Sequence, residues 1–355
     1  MNTIVKEFLK NIIPGPAQTF RNLSVVPLFL SEQGKEEYMT LSEGLRTGEV
    51  EVGEVNWGGS VNHVRIKNKS KKKIFVADGE EIAGAKQNRI VNTSLFLDGE
   101  SETVVPASCT EQGRWNYLEG GEKFMDTGLI MANRARQYKA VRLQKNLQKN
   151  DKYDANQEGV WNDINDYFGK LNTDTKTKAL KDAFDQNKDD LESFVKNCKP
   201  LPGQCGLATF INGDLLGFDV VSKEGAYQEL HEKFIKSSAI EALTESTVNA
   251  PNLEKLKLDT YNFIESLTEA TETEHKPVGL GIDYRFETPS ATAAALVHLE
   301  VLHFSAHKKD SKSTALMEHK KSDEIVDNIK NGLDNVREEV TKSVVDFFKK
   351  ELGKL

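Results

Sequence analysis

Short apolar segments separated by turns constrain the fold of this chain more than any other feature of its sequence. Asn212-Gly213 lies between two such segments, 206–211 and 215–221. Because Asn-Gly suits a type I′ turn, these two segments are predicted to form an antiparallel hairpin. The other short segments with alternating or continuous apolar residues are also predicted to be strands: 23–30, 50–56, 61–67, 73–77, 90–97, 102–108, 279–287 and 296–306.

The middle of the chain changes to the helical period. Large apolar residues recur every three or four positions in several stretches between residues 132 and 195, and again in 227–243 and 253–268. Burying each such side chain stabilises a fold by roughly 1.5–3 kcal/mol, so the helices are expected to pack on the strands. The predicted fold class is α+β, mainly an antiparallel sheet or sandwich of short strands with packed helices, plus a C-terminal amphipathic helix.

The chain is predicted to contain one large domain with smaller segments at both ends. Strands on both sides of the helical region indicate one sheet system rather than two independent domains. The apolar residues of the last segment follow alternating four- and three-residue steps, so that helix is expected to dock on the core or to pair with a second subunit in a homo-oligomer. The predicted boundaries are 1–18 for an N-terminal amphipathic segment, 19–307 for a single α+β core domain, 308–323 for a linker and 324–355 for the C-terminal helix.

Composition argues against several classes of protein. The formal net charge of −8 disfavours a nonspecific grip on nucleic acid. No apolar run approaches the roughly 18 residues that a membrane helix needs, so no membrane partner is expected. The three cysteines, Cys109, Cys198 and Cys205, are too few for a disulfide framework and fit a cytoplasmic location. They lack histidines at ligand spacing, so no metal site is predicted, and the absence of phosphate-loop and dinucleotide motifs leaves the cofactor unassigned.

The first polar motif spans residues 78–92, between two apolar strands. Its lysine and arginine are suited to a phosphate or carboxylate, which arginine binds with a two-pronged fork. Glu80 or Glu81 is a candidate general acid or base if burial raises its pKa. Composition alone instead favours a solvated loop whose charges pair with one another. The predicted ligand-binding residues here are Lys86, Gln87, Asn88 and Arg89.

The second polar motif spans residues 106–116. Trp115 beside Arg114 offers a flat apolar surface next to a cation, which suits a nucleobase stacked near a phosphate. The alternative is a core tryptophan with Arg114 paired to Glu111. Cys109 is a candidate nucleophile, although an unactivated cysteine is more often simply packed. The predicted ligand-binding residues here are Gln112, Arg114 and Trp115, and the candidate catalytic residues are Cys109 and Glu111.

The two motifs together resemble the ARG and Rhodanese-Phosphatase-superfamily-associated protein domain. The resemblance rests on 78–89 with Asn92 and on 106–115, and it extends over roughly residues 20–307. The family is named for its genomic company, ADP-ribosylglycohydrolases and phosphatases, so the resemblance implies a role around NAD-derived or ADP-ribose metabolites. It implies no established reaction, because family membership does not determine function. Supporting matches are Pro27-Leu28, Tyr38, Gln157 before Trp161, and Gly281, Asp283 and Arg285.

Three hypotheses follow, and they leave open whether the protein is an enzyme. The first is binding or processing of a phosphorylated nucleoside ligand, such as ADP-ribose or another NAD-derived metabolite. The alternative is a noncatalytic scaffold that assembles through the C-terminal helix, with the motifs as an internal hydrogen-bond network. The third is glycosidic hydrolysis by Glu80 or Glu81 together with Glu111, which requires two carboxylates about 5–9.5 Å apart. The scattered histidines, including His303, are interpreted as structural.

Overall fold

The chain forms two compact units, Met1–Asp310 and Ser311–Leu355. In the second unit residues 311–317 are helical. The predicted C-terminal helix, 324–355, lies outside the described residues, so its role in a homo-oligomer stays a prediction. The computed structural model describes residues 1–117, 123–247 and 251–317.

The first unit has the predicted α+β fold, with strands that pair mainly antiparallel and helices that pack against them. None of the helices in the described part of the chain is both long and apolar enough to cross a bilayer. The helices are α1 (Thr3–Lys10), α2 (Leu41–Thr47), α3 (Asn133–Asn150), α4 (Gln157–Leu171), α5 (Leu180–Gln186), α6 (Lys188–Asn197), α7 (Glu224–Ala242) and α8 (Leu253–Ser266). The strands are β1 (Ile12–Pro14), β2 (Gln18–Phe20), β3 (Leu23–Leu30), β4 (Tyr38–Thr40), β5 (Val50–Gly53), β6 (His63–Asn68), β7 (Lys73–Val76), β8 (Glu80–Gly84), β9 (Arg89–Val91), β10 (Leu95–Leu97), β11 (Ser101–Cys109), β12 (Lys123–Ile130), β13 (Gln204–Ile211), β14 (Asp214–Val221), β15 (Thr271–His275), β16 (Ile282–Glu287), β17 (Ala291–His298) and β18 (Glu300–Lys308).

A nine-stranded antiparallel sheet forms the larger part of the core, in the order β1-β3-β13-β14-β18-β17-β16-β15 with β2 also on β3. The predicted hairpin between β13 and β14 is confirmed, since Asn212 and Gly213 have φ angles of 53° and 84°, as a type I′ turn requires. One face of the sheet is apolar and packs against α1 and α8, and it includes the stacked rings of Phe218 and Phe304. The opposite face packs against α3 and α7.

A closed six-stranded barrel, in the order β11-β6-β5-β12-β8-β9, carries both polar motifs. Along β6 the burial alternates, so Val64 and Ile66 fill the apolar core while Arg65 and Lys67 face outward. The first motif supplies β8, β9 and the turn between them, and the second contains the end of β11 and the segment after it. The remaining strands, β10, β7 and β4, form a three-stranded sheet in which β4 and β7 run parallel.

Three predicted elements differ from the structure. Residues 90–97, predicted as one strand, are divided between β9 in the barrel and β10 in the three-stranded sheet. Residues 296–306 are a hairpin of β17 and β18, with Leu299 at its turn in the left-handed conformation (φ 61°). The N-terminal amphipathic segment, 1–18, is helical only from Thr3 to Lys10, and its apolar residues Ile12 and Ile13 belong to β1. In each case the local apolar pattern is compatible with both structures, and pairing with distant strands decides between them.

Candidate functional site

The two polar motifs contact each other where β9 pairs with the end of β11. Arg114 makes most of the contact: its Nε and Nη2 donate to the two carboxylate oxygens of Glu111 at 2.9 and 2.6 Å. Its Nη1 donates to the carbonyl oxygen of Ala85 at 2.7 Å, and Nη2 also donates to Asn88 Oδ1 at 3.2 Å. Glu111 in turn accepts the backbone N–H of Asn88 at 3.2 Å. Arg114 therefore fastens the β8–β9 turn to the second motif.

Arg89 is completely buried and faces backbone carbonyl groups. Its Nη1 donates to the carbonyl oxygen of Gln87 at 3.0 Å, and its Nη2 donates to that of Ser60 at 3.3 Å. The indole ring of Trp115 covers it, with the guanidinium carbon 5.6 Å from the ring centroid. Burial lowers the pKa of Arg89. The carboxylate of Glu54, whose Oε1 lies 3.9 Å from Arg89 Nη2, partly offsets this decrease. An anion reaches this guanidinium only if the covering side chains move.

Glu80 and Glu81, two of the candidate acid–base residues, have different surroundings. Glu80 accepts hydrogen bonds from Lys233 Nζ and from the backbone N–H of Ala77, both at 2.7 Å, so it belongs to an internal ion pair. Glu81 accepts a hydrogen bond from the Thr110 hydroxyl at 2.8 Å, and its Oε2 has no partner within the described residues. Burial raises the pKa of Glu81 to about 7. A carboxyl group with this pKa suits proton transfer near neutral pH.

Cys109 is packed and neutral rather than activated. Its thiol lies 2.7 Å from Gln87 Oε1, and burial raises its pKa to about 11. The side-chain amide of Gln157 at the start of α4 accepts the backbone N–H of Cys109 at 2.7 Å and donates to its carbonyl oxygen at 2.9 Å. A thiol with a raised pKa is a poor nucleophile. Gln112, by contrast, is exposed.

An open groove of about 310 Å³ lies on the outer face of the barrel, beside these motifs. We call it the aromatic groove. Trp57 and Tyr117 form its aromatic part, with ring centroids 6.0 Å apart. Lys86 adjoins it, because its Nζ lies 5.4 Å from the ring centroids of both Tyr117 and Trp115. Its remaining lining residues are Glu51, Val52, Gly53, Glu54, Val55, Asn56, Arg65, Lys67 and Lys123.

A second polar site lies inside the molecule, on the face of the nine-stranded sheet that packs against α3. Adjacent strands place Asp219, Ser305 and Arg285 in one row across the sheet. Three ion pairs occupy this region: Arg136 with Asp219 at 2.7 and 3.0 Å, Arg285 with Asp283 at 2.6 Å, and Lys139 with Asp78. We call these six residues the buried charge cluster. Three of them, Asp78, Asp283 and Arg285, line a small cavity of about 20 Å³, which is room for one or two water molecules.

A hydrogen-bonded chain of three side chains ends at this cavity. The Ser94 hydroxyl lies 2.7 Å from His303 Nδ1, and His303 Nε2 lies 3.2 Å from Asp219 Oδ1. The Ser94 oxygen also accepts the backbone N–H of Asp78 at 3.1 Å. Ser94 and His303 both line the cavity, and Ser94 is half-buried whereas the other two are buried.

Residues 11–307 match the ARG and Rhodanese-Phosphatase-superfamily-associated Protein domain, ARPP-1. The chain belongs to this family. The match begins before residue 20, where the sequence resemblance starts, and it includes β1 and β2 of the large sheet. No curated protein and no solved structure matches the chain. The ARPP-1 domain thus contains both polar motifs and the buried charge cluster.

The ARPP-1 domain brings together residues that the sequence interpretation kept apart. Asp283 and Arg285 were noted as family matches, and His303 as a structural histidine, without any connection between them. A signal for the cluster is present in β18, where His303, Ser305 and His307 alternate with apolar residues along one face. In residues 1–117, 123–247 and 251–317, no group of three or more His, Cys, Asp or Glu side chains is arranged to hold a metal ion. The ligand and catalytic roles assigned to the two motifs stay predictions.

Proposed function

We propose that this ARPP-1 domain binds a phosphorylated nucleoside ligand, such as ADP-ribose or another NAD-derived metabolite, in the aromatic groove. The observation that supports this proposal is the exposed ring of Trp57, of which 79% is accessible, beside the cations Arg65, Lys67 and Lys123. A groove of about 310 Å³ lies within the size range of small-molecule sites.

The aromatic side chains supply the surface for the base or ribose. Trp57 and Tyr117 are inclined by 44°, so they present two adjacent faces rather than one stacked pair. Stacking of a base on an aromatic side chain contributes about 1–3 kcal/mol. The exposure of Trp57 leaves that surface available, whereas Trp161 on α4 is half-buried.

The cations supply the site for phosphate. Lys123 pairs with Glu51 at 2.6 Å and Arg65 pairs with Glu102 at 3.2 Å, and these cations are 67% and 44% exposed. Exposed ion pairs of this kind contribute only about 0–1 kcal/mol, so a phosphate group can replace the carboxylate partners at little cost. Charge-assisted hydrogen bonds to phosphate then add affinity.

The two polar motifs have a supporting role in this proposal. Lys86 and Trp115 contact the ligand at the edge of the groove, because Lys86 lies over the rings of Trp115 and Tyr117. Arg114 and Arg89 hold the β8–β9 turn in place through internal hydrogen bonds. A cytoplasmic location belongs to the same proposal, since all three cysteines are free thiols.

Isothermal titration calorimetry with ADP-ribose, NAD, ribose 5-phosphate and adenosine tests the proposal. We expect ADP-ribose to bind with a micromolar Kd and Trp57→Ala to raise that Kd by about 5- to 150-fold, which corresponds to the 1–3 kcal/mol of one stacking contact. Tyr261→Ala is the matched control, because this ring on α8 is also exposed, at 53%, and lies outside the groove. Absence of binding heat with all four compounds, in protein that unfolds cooperatively, would overturn the proposal.

A further inference from the structure

We propose that Ser94 is the nucleophile of a hydrolase site for small acyl esters, with His303 as its general base and Asp219 as the group that orients His303. The site is the cavity of the buried charge cluster. This inference goes beyond ligand binding in the aromatic groove and involves different residues, so neither proposal depends on the other.

The geometry of the three side chains meets the requirements for an activated serine. The Ser94 oxygen and His303 Nδ1 are 2.7 Å apart, and His303 Nε2 and Asp219 Oδ1 are 3.2 Å apart. With its Nε2–H donated to Asp219, the imidazole keeps the lone pair on Nδ1 for the serine proton. A nucleophile within hydrogen-bond reach of a base, which a third group orients, is the general arrangement of serine hydrolases. The two ring nitrogens of His303 exchange roles relative to the usual triad, in which Nε2 faces the serine.

The cavity beside Ser94 contains polar groups that have no partner within the described residues. Arg285 Nε and His307 Nδ1 are buried without a hydrogen bond, and both residues line the cavity. A buried donor without a hydrogen-bond partner costs about 1–3 kcal/mol of stability. We therefore expect a molecule bound in the cavity to supply that partner. The Arg285 N–H is a donor for the oxygen that becomes negative during acyl transfer.

Stability alone does not account for the buried charge cluster. It holds three cations and three carboxylates inside the fold, and such pairs are often no more stabilising than apolar side chains of similar volume. The ion pairs leave the cluster electrically balanced, so it favours neither a bound anion nor a bound metal cation. A neutral ester suits that balance. Because the cavity of about 20 Å³ has room for only one or two water molecules, even a small acyl group enters it only when the surrounding side chains move.

The proposed reaction is a two-step acyl transfer. The Ser94 oxygen attacks the ester carbonyl carbon while its proton passes to His303 Nδ1, and the carbonyl electron pair moves onto oxygen. The C–O bond to the alcohol then breaks, and the alcohol leaves with the proton from Nδ1. Water attacks the acyl-serine in the second step, gives its proton to Nδ1 and releases the carboxylic acid, with the proton returning to Ser94.

The test uses the full chain, methanesulfonyl fluoride as a small serine-directed reagent, and p-nitrophenyl acetate as the ester. We expect one methanesulfonyl group on the peptide that contains Ser94, and a burst of p-nitrophenol that reports the acyl-enzyme. Ser94→Ala should abolish the adduct, and His303→Asn should slow its formation by about 100- to 10,000-fold, as loss of a general base predicts.

Ser238→Ala is the matched control, since Ser238 on α7 is buried but lies outside the cavity, with its hydroxyl 3.2 Å from that of Thr209. It should label at Ser94 as the unchanged protein does. If His303→Asn fails to fold, the comparison of Ser94→Ala with Ser238→Ala still tests the proposal, because each variant removes one hydroxyl group. Folded protein that carries no adduct at Ser94, or that labels equally fast without the imidazole, would overturn the proposal.

Discussion

Glu111 binds Arg114 through two parallel hydrogen bonds, of 2.9 and 2.6 Å, and this pair joins the β8–β9 turn to the segment after β11. The two side chains are only 6% and 10% exposed. Arg114, which was predicted from the sequence to bind a ligand, thus donates hydrogen bonds to a carboxylate and to backbone carbonyl groups. Its contribution to stability and its contribution to binding can be measured separately.

Arg114→Ala should lower the free energy of unfolding by about 3–5 kcal/mol, because it leaves Glu111 buried without its partner. Chemical denaturation measures this change. Arg65→Ala is the control: its ion pair with Glu102 is 44% and 46% exposed, so the expected loss is below about 1 kcal/mol. Equal and small losses for both variants would instead favour a ligand role for Arg114.

Glu81 should make the protein less stable as pH rises from acid to neutral. Burial raises its folded pKa from 4.5 to about 7, so between these values the folded state holds a proton that the unfolded state has released. The free energy of unfolding therefore falls by about 3 kcal/mol as pH rises through this window. Glu81→Gln stays neutral and should remove that part of the pH dependence.

Glu51→Gln provides the control for this measurement. The hydrogen bond from Lys123 lowers the Glu51 pKa to about 2, so its contribution is lost only as pH falls below 4.5. Between pH 4.5 and 7 the Glu51→Gln curve should run parallel to that of the unchanged protein. A parallel curve for Glu81→Gln as well would show that Glu81 does not titrate as expected.

Cys109 should react with a thiol reagent only when the protein unfolds. It is fully buried and its pKa is raised to about 11, so at pH 8 almost none of it is thiolate. Colorimetric titration with a disulfide reagent should therefore follow the unfolding rate, and Cys109→Ala should remove one reactive equivalent after denaturation. Rapid modification of Cys109 in the folded protein would instead support its predicted role as a nucleophile.

Local chemistry explains which elements were predictable. The turn at Asn212-Gly213 depends on the backbone preferences of two neighbouring residues, so its hairpin was predicted with the correct partners. The hairpin turn at Leu299 carries no such signal, because leucine is unusual in the left-handed conformation, and it was missed. Residues 90–97 had a continuous apolar pattern, and nothing within them indicated that β9 and β10 enter different sheets.

By itself the sequence determined the period of each segment, the positions of its clearest turns and the two polar motifs, because these depend on residues close together in the chain. Only the tertiary structure decided which charges are buried and what they contact. Ser94, Asp219 and His303 are far apart in sequence. Pairing of β14 with β18 in the large sheet brings Asp219 within hydrogen-bond distance of His303, and Ser94 reaches His303 from the segment between β9 and β10. Arg114 and Arg89 likewise donate to backbone carbonyl groups of the β8–β9 turn, and that turn lies beside the second motif because β9 pairs with the distant β11.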